Sequence, residues 1–498
     1  MKTLARLEKN KFFWYLFAIL CGFFILRFPS LFEPYWYGDE GVYQTLGLAI
    51  NNGSLLYQDI WDNKPPLLYM IYSFFGSDQF TVRLASLIFG LLSIFVFFKL
   101  ANKIFGITKI ALFSTAFFAL FFGSPLLEGN IANAENFMVL PILTSALILL
   151  NIKETDETKK TQNRNILLVF LSGIILGVSF LFKIVALFDF AAFLIFAAFF
   201  IDGKFLTHIR NKKYEAYEVK KVLSFILGFA IPIVLTAGFF LTKGALDPFL
   251  NATFFSNIGY VGYGNKFIIP QGLLLIKLLL LGGFIGFLFL KRKSFNATTI
   301  FVWIWFAFSL FNAFFSQRPY AHYLLVLLPS FSLLLGLVFA DKKFQKINIF
   351  LVILSLLLIS KNFGVYGKPI RYYENFLSFI THKKSVSDYQ RFFDRITPVD
   401  YELASFIRAR TRENDTIFTW GNNAQIYKLT EKLPPGRFTV AYHITGSKNG
   451  ISETEKAIDL KKPKIIILMP YMRSFPFNLS NYSQRIIIDK ATIYERVL

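Results

Sequence analysis

Asp39 and Glu40 stand side by side between Gly38 and Gly41, and "WDNKPP" follows at 61–66 with Asp62 and Lys64 set against paired prolines. Further along come Glu135 in "EGNIANAENFM", Lys183 in "FLFKIVALF", and Arg318, Tyr320, His322 and Tyr323 in "SQRPYAHYLL". Carboxylates and cations facing each other at a membrane surface suit one task, holding an anionic lipid headgroup while an acid activates a nucleophile. Gly38 and Gly41 permit close approach to the Asp-Glu pair, although Asp39 reads equally as a helix cap with Glu40 in the first turn. Pro65 biases Lys64 away from the α conformation, and Pro66 suits the first turn of the helix that follows. Such a junction mounts a cation at a fixed point; its plainer reading is a stiff loop with a snorkelling lysine. A lysine inside an apolar run such as that around Lys183 costs roughly 2.5–3.5 kcal/mol on insertion scales, so it is either functional or a turn residue reaching the headgroups. Arg318 offers a bidentate fork for phosphate, with Tyr320, His322 and Tyr323 as hydrogen-bond partners, while any single tyrosine there also fits an aromatic belt.

The elements that must position these residues are membrane helices. Of 498 residues 55% are hydrophobic and 18% aromatic, and the mean hydropathy is +0.50. Apolar runs of bilayer-spanning length recur from "FFWYLFAILCGFFILRF" to "INIFLVILSLLLIS". The net charge of +22 marks topology rather than nucleic-acid binding, because "MKTLARLEKNK", "KIFGITK", "KETDETKKTQNRN", "KFLTHIRNKKYEAYEVKK", "KRK" and "DKKFQK" fall at alternate breaks between apolar runs. With those breaks cytoplasmic, spans are expected near 12–30, 82–101, 109–124, 136–151, 166–182, 184–201, 221–241, 271–290, 297–315, 322–340 and 347–363, about 11 in all. The N-terminus is then inside and the C-terminal part outside. A single helix over 166–201 would run for more than about 50 Å against a hydrocarbon core of about 30 Å, so the chain should fold back at Lys183.

This topology puts every candidate residue above on the outer side. Two helices lying on the membrane are expected in the long outer loop 31–81, over "GDEGVYQTLGLAINNGS" and "PPLLYMIYSFF". Residues 1–363 form the membrane part, and 364–498 shift to an ordinary soluble mixture. There "DTIFTW", "RFTV", "PKIIILMP" and "QRIIIDK" read as strands and "PVDYELASFIRARTREN" and "ISETEKAIDLKK" as helices of a small α/β domain. Cys21 is the sole cysteine, so no internal disulfide forms. No P-loop, dinucleotide fingerprint or spaced metal motif is present, and the 4 histidines are dispersed. A transporter or flippase is the alternative for a chain with membrane-embedded charges, but the suspect residues collect at one face and no inverted repeat is visible.

In "YGDEGVYQ", "YQDIWDNKPPLLYMIY", "NAENFMVLP", "GVSFLFKIVAL" and "RPYAHYLLVLLP" the chain resembles the GT-C fold glycosyltransferases that use polyprenyl-phosphate sugars, the group of protein O-mannosyltransferases and lipid A aminoarabinose transferases. The resemblance covers about residues 10–340 and rests mainly on the Asp-Glu pair followed by Lys-Pro-Pro. It implies a polytopic helical membrane enzyme with an extracytoplasmic C-terminal α/β domain, moving a sugar from a polyprenyl-phosphate donor to a hydroxyl of a protein, glycan or lipid. Asp39 is then the catalytic carboxylate, with Glu40 beside it and Glu135 as the second acid. Lys64, Lys183 and Arg318 hold the donor phosphate, with Tyr320 or Tyr323 assisting. Zinc-binding relatives carry a glutamate where this chain has Asn63, which leaves a divalent metal without its usual ligand; Asp62 and His322 are the residues that could serve a metal or the acceptor instead.

Overall fold

The computed structural model describes residues 11–152, 159–200, 212–257 and 274–497, except 317, 319 and 473. Every expected span coincides with a helix: α1 (Lys11–Arg27), α4 (Gln79–Phe105), α5 (Thr108–Gly123), α6 (Ala134–Leu150), α7 (Lys159–Phe180), α8 (Ala186–Phe199), α9 (Lys212–Thr242), α10 (Leu274–Leu290), α11 (Ala297–Ala313), α12 (Leu324–Ala340) and α13 (Gln345–Asn362). Among the described residues six helical stretches are long and apolar enough to cross a membrane, including the two around α1 and α12 with their adjoining 3-10 turns, and the other five are shorter apolar helices. The chain is a multi-pass membrane protein. The basic segments 1–10, 153–158 and 201–211, and the glycine- and tyrosine-rich stretch after Asn257, lie outside the described residues.

The chain does turn at Lys183. Helix α7 ends at Phe180 and α8 begins at Ala186, so one over-long apolar run becomes a pair of antiparallel-capable segments joined by five residues of turn. Helix α7 packs closely on α9 because both backbones expose glycine: a Cβ on Gly173 would meet the Phe225 carbonyl at 2.4 Å, and one on Gly228 the Phe170 carbonyl at 2.2 Å.

Both helices expected in loop 31–81 form, as α2 (Gly38–Asn51) and α3 (Leu67–Phe74). They differ in setting. Helix α3 keeps Met70 and Phe74 exposed, as an interfacial helix would. Helix α2 is buried at every position from Glu40 to Ala49, so it does not lie on a surface with one face in water. It runs between α3 and the C-terminal residues, where the Thr45 hydroxyl donates to Ala424 O at 3.0 Å.

After residue 364 helices α14 (Pro369–Ile380), α15 (Val386–Phe393), α16 (Thr397–Arg408), α17 (Gln425–Thr430), α18 (Ala441–Gly446) and α19 (Gly450–Lys461) surround four strands. Strands β1 (Ile417–Trp420) and β2 (Ile465–Leu468) pair in parallel, and β4 (Ala491–Arg496) joins β2 to β3 (Tyr482–Ile488) by antiparallel pairing, in the order β1-β2-β4-β3. "RFTV" is not a strand, because its residues cross to the start of α18 and their hydrogen bonds go elsewhere: Arg437 O accepts from Trp61 N–H at 2.8 Å. Strand β4, with its alternating "ATIYER", was not among the expected elements.

Candidate active site

Lys64 is the centre of the first cluster. Pro65 and Pro66 have no N–H, and the first free donor after them, Leu67 N–H, bonds to Leu181 O at 3.1 Å. That single bond ties the start of α3 to the turn carrying Lys183. The Lys64 backbone is fixed at both ends, its N–H donating to the Tyr69 hydroxyl at 3.1 Å and its carbonyl accepting from Tyr57 Oη at 2.7 Å. Its ammonium is thereby set 3.7 Å from Asp39 Oδ2 and 3.8 Å from Asp62 Oδ2, and 4.8 Å from the centre of the Tyr43 ring.

Asp39 sits in the first turn of α2, and Tyr43 one turn on donates to its Oδ2 at 3.1 Å. Burial alone would raise the Asp39 pKa, but Lys64, His322, the Tyr43 hydroxyl and Lys183 together hold it below the ordinary carboxylate value. Burial likewise works against the Lys64 charge, and Asp62 and Asp39 reverse it, raising its pKa. Both groups are charged at neutral pH. Asp39 is also accessible: its side chain is 39% exposed, against 4% for Asp62, 3% for Glu135 and 2% for Glu40.

Asp62 is a supporting acid. It accepts from the Tyr69 hydroxyl at 2.7 Å and from Asn63 N–H at 2.8 Å, and His443 Nε2 lies 3.6 Å from its other side. His443 comes from α18 and packs edge-on against Trp61 at 4.8 Å. Burial drives the His443 pKa down to about 4, ahead of the opposing pull of Asp62, so the ring is neutral at pH 7. The C-terminal residues thus reach the Lys64 cluster, which no local signal in "AYHITG" indicates.

The second cluster forms around the turn at 181–185. Lys183 is ion-paired with Glu135 and lies 4.4 Å from the centre of the Tyr323 ring. His322 Nδ1 is 2.8 Å from Glu128 Oε2, which also accepts from the Tyr37 hydroxyl at 2.6 Å. Tyr320 is exposed and stacks on His322 at 5.5 Å. Arg318 is half-buried, and its neighbours 317 and 319 lie outside the described residues. Asp39, Asp62, Lys64, Glu135, Lys183, His322 and Tyr323 therefore gather on one side of the helix bundle.

Glu40 does not join them. Its carboxylate turns inward, where Arg83 takes both oxygens and Ala132 N–H donates to Oε1 at 2.9 Å. Arg83 also pairs with Glu33 at 2.9 Å and donates to Ser30 O at 2.7 Å. Adjacent helix residues point about 100° apart, so one member of an Asp-Glu pair meets substrate and the other the interior. Arg83, Glu33 and Glu128 were missed because each reads as an ordinary charge at the end of a span.

The donors present do not fit a divalent cation. Asp62 is already occupied by a phenol, an amide and an ammonium, and His322 Nδ1 by Glu128. Among the described residues no three His, Cys, Asp or Glu side chains stand together as metal ligands.

Residues 64–230 match the family model described as dolichyl-phosphate-mannose-protein mannosyltransferase. Among solved structures the chain is similar to ArnT from Cupriavidus metallidurans bound to undecaprenyl phosphate, with a TM-score of 0.56 at 13% identity over 97% of this chain and 98% of that one. The chain shares the GT-C fold of ArnT. The apo state of ArnT gives a TM-score of 0.52 at 12% identity over the same shares. The oligosaccharyltransferase AglB from Archaeoglobus fulgidus, in complex with an inhibitory peptide and a dolichol-phosphate, gives 0.49 at 14% identity over 93% of this chain and 69% of that one. No curated protein matches the chain by sequence. The family match begins at Lys64 and takes in Glu135 and Lys183, while Asp39, Arg318 and His322 lie outside it.

Proposed function

We propose that the transferase moves a sugar from a polyprenyl-phosphate donor to an acceptor hydroxyl of a protein, glycan or lipid at the extracytoplasmic face, with inversion at the anomeric carbon and Asp39 as base. The observation that carries this reading is the contrast within the cluster: Asp39 is ionised and accessible, whereas Asp62, Glu135 and Glu40 are buried and committed to partners. Only one of these acids can meet an incoming hydroxyl.

The donor already carries phosphate as its leaving group, so the departing oxygen needs positive charge more than a proton. Lys64 and Lys183 supply it, with Tyr323 against Lys183; Arg318 belongs to the same segment before α12 and is assigned to the phosphate by its chemistry. The acceptor oxygen attacks the anomeric carbon as the bond to phosphate breaks; phosphate leaves with the electron pair, and the acceptor proton passes to Asp39. One carboxylate suffices, unlike hydrolysis of a glycoside between two acids. Asp62 keeps Lys64 charged and in place, and the Glu40–Arg83 pair fixes the root of α2. The charge pattern of the loops supports an outward-facing site, and bound undecaprenyl phosphate in ArnT supports a lipid phosphate as ligand.

The test is transfer from labelled polyprenyl-phosphate sugar in membranes. Asp39→Asn should lower turnover by about 100- to 10,000-fold, the usual worth of a general base, and Lys183→Ala should weaken donor binding. Near-normal turnover in both variants sinks the assignment.

A further inference from the structure

Beside the reaction site lies a second built feature, a small open cleft walled by Trp36, Tyr37, Tyr372 and Phe393, with Glu128 and Asn130 as its polar lining. An aromatic wall with a few convergent polar groups is how small-molecule sites recognise a ligand.

The walls are held from behind. Glu33, itself buried, accepts from Trp36 Nε1 at 2.7 Å, from Asn130 Nδ2 at 2.8 Å and from the Tyr372 hydroxyl at 2.6 Å, and Arg83 balances its charge at 2.9 Å. Three pieces of chain distant in sequence are thereby fixed around one open space. Trp36 also packs on Phe393 with ring centres 5.6 Å apart.

Glu128 is placed with equal care. It adopts φ +58°, a left-handed conformation uncommon for a side-chain-bearing residue. The following Gly129 packs so tightly that a Cβ there would come 2.2 Å from the Phe122 carbonyl, and Asn136 donates to its carbonyl at 2.9 Å. Both bonds to Glu128, from Tyr37 and His322, fall on Oε2. With its side chain 26% exposed, Oε1 is left for a ligand.

Flat aromatic faces beside a carboxylate that only accepts suit a ligand with an apolar C–H face and outward hydroxyl donors. We propose that this cleft binds a pyranose ring, the ring stacking on the aromatic wall while its hydroxyls donate to Glu128 Oε1. The cleft shares Tyr37 and Glu128 with the reaction site, and Tyr37 lies two residues before Asp39. The inference rests on the glycosyltransferase reading and adds where the sugar sits. The same ring chemistry occurs in the donor's sugar and in a glycan acceptor.

The full-length protein in nanodiscs distinguishes these. The first readout is the Trp36 emission, taken as wild type minus Trp36→Phe, on addition of a panel of methyl pyranosides at millimolar concentration. The second is affinity for undecaprenyl-phosphoryl sugar against bare undecaprenyl phosphate. The expected result is a saturable Trp36 response, and at least a tenfold preference for the sugar-bearing lipid that Glu128→Gln and Phe393→Leu abolish, with Phe393→Leu leaving affinity for the bare lipid unchanged. A Trp36 response without that lipid preference assigns the cleft to the acceptor's sugar. No response, together with a lipid preference that both variants retain, overturns the proposal. If bare undecaprenyl phosphate itself fails to bind, the donor-lipid reading falls while the pyranoside response still decides the cleft.

Discussion

Lys64 and Asp39 set each other's charge, and a pH profile reads the result. The Asp39 pKa is depressed, so the carboxylate stays ionised as pH falls to at least its ordinary value near 3.9; the Lys64 pKa is raised, so the ammonium persists to at least about 10.4. Neither residue should impose a limb between about pH 4 and pH 10. Transfer rates measured across that window in detergent should show no acid limb that disappears in Asp39→Asn residual activity, and a limb near pH 6 that follows Asp39 would contradict its ion pairing with Lys64. At this scale much of the site was readable in the sequence. Asp39, Lys64, Glu135 and Lys183 stand out because charge is expensive beside apolar runs. Glu40 was not readable: two adjacent acids look alike on paper, and only helix phase against Arg83 separates them.

At the scale of elements, α2 carries the proposed base Asp39, and it is held from two sides. Gly41 is where the C-terminal residues come closest. A Cβ there would lie 2.7 Å from Gln425 N and 2.9 Å from its Oε1, and Gln425 cannot retreat easily because Asp400 accepts from its Nε2 at 2.7 Å. Gly41→Ala gains about 1 kcal/mol in helix propensity but meets backbone, and such overpacking costs typically 1–3 kcal/mol. Expected is a lower melting temperature in detergent and at least a tenfold loss of transfer. Gly38→Ala, with nothing within 4 Å of the added carbon, should melt as the wild type does. Equal behaviour of the two variants would mean that α2 is not clamped by α17. The sequence suggested a helix here from the Asp-Glu start and the Asn-Asn-Gly stop, but its apolar residues fit a membrane surface as well as a protein interior.

At the scale of the molecule, the C-terminal residues are joined to loop 31–81 and the segment before α6 by Trp61 N–H to Arg437 O, Tyr35 N–H to the Tyr401 hydroxyl at 3.0 Å and Tyr366 N–H to Leu126 O at 3.1 Å. If loop charge sets the orientation, this whole assembly faces outward. Leu460 on α19 is 79% exposed, and a Leu460→Cys variant in a Cys21→Ser background places one reporter there. A membrane-impermeant maleimide should label it in intact cells. Labelling only after lysis would reverse the topology and move the site to the cytoplasmic side.

The sequence by itself determined that the chain enters the membrane many times and where the apolar spans run, because the bilayer demands long apolar stretches with satisfied backbones and such stretches are local. It also determined that a few costly charges share a side. The tertiary structure alone decided which of them meet: that Lys64 reaches both Asp39 and Asp62, that Glu40 belongs to Arg83, and that His443 arrives from nearly four hundred residues away in sequence. It also decided that Glu33 draws three distant segments around one cleft. Those are matters of packing between remote parts of the chain, and each buried charge takes its role from whichever partner the fold supplies to offset its lost water.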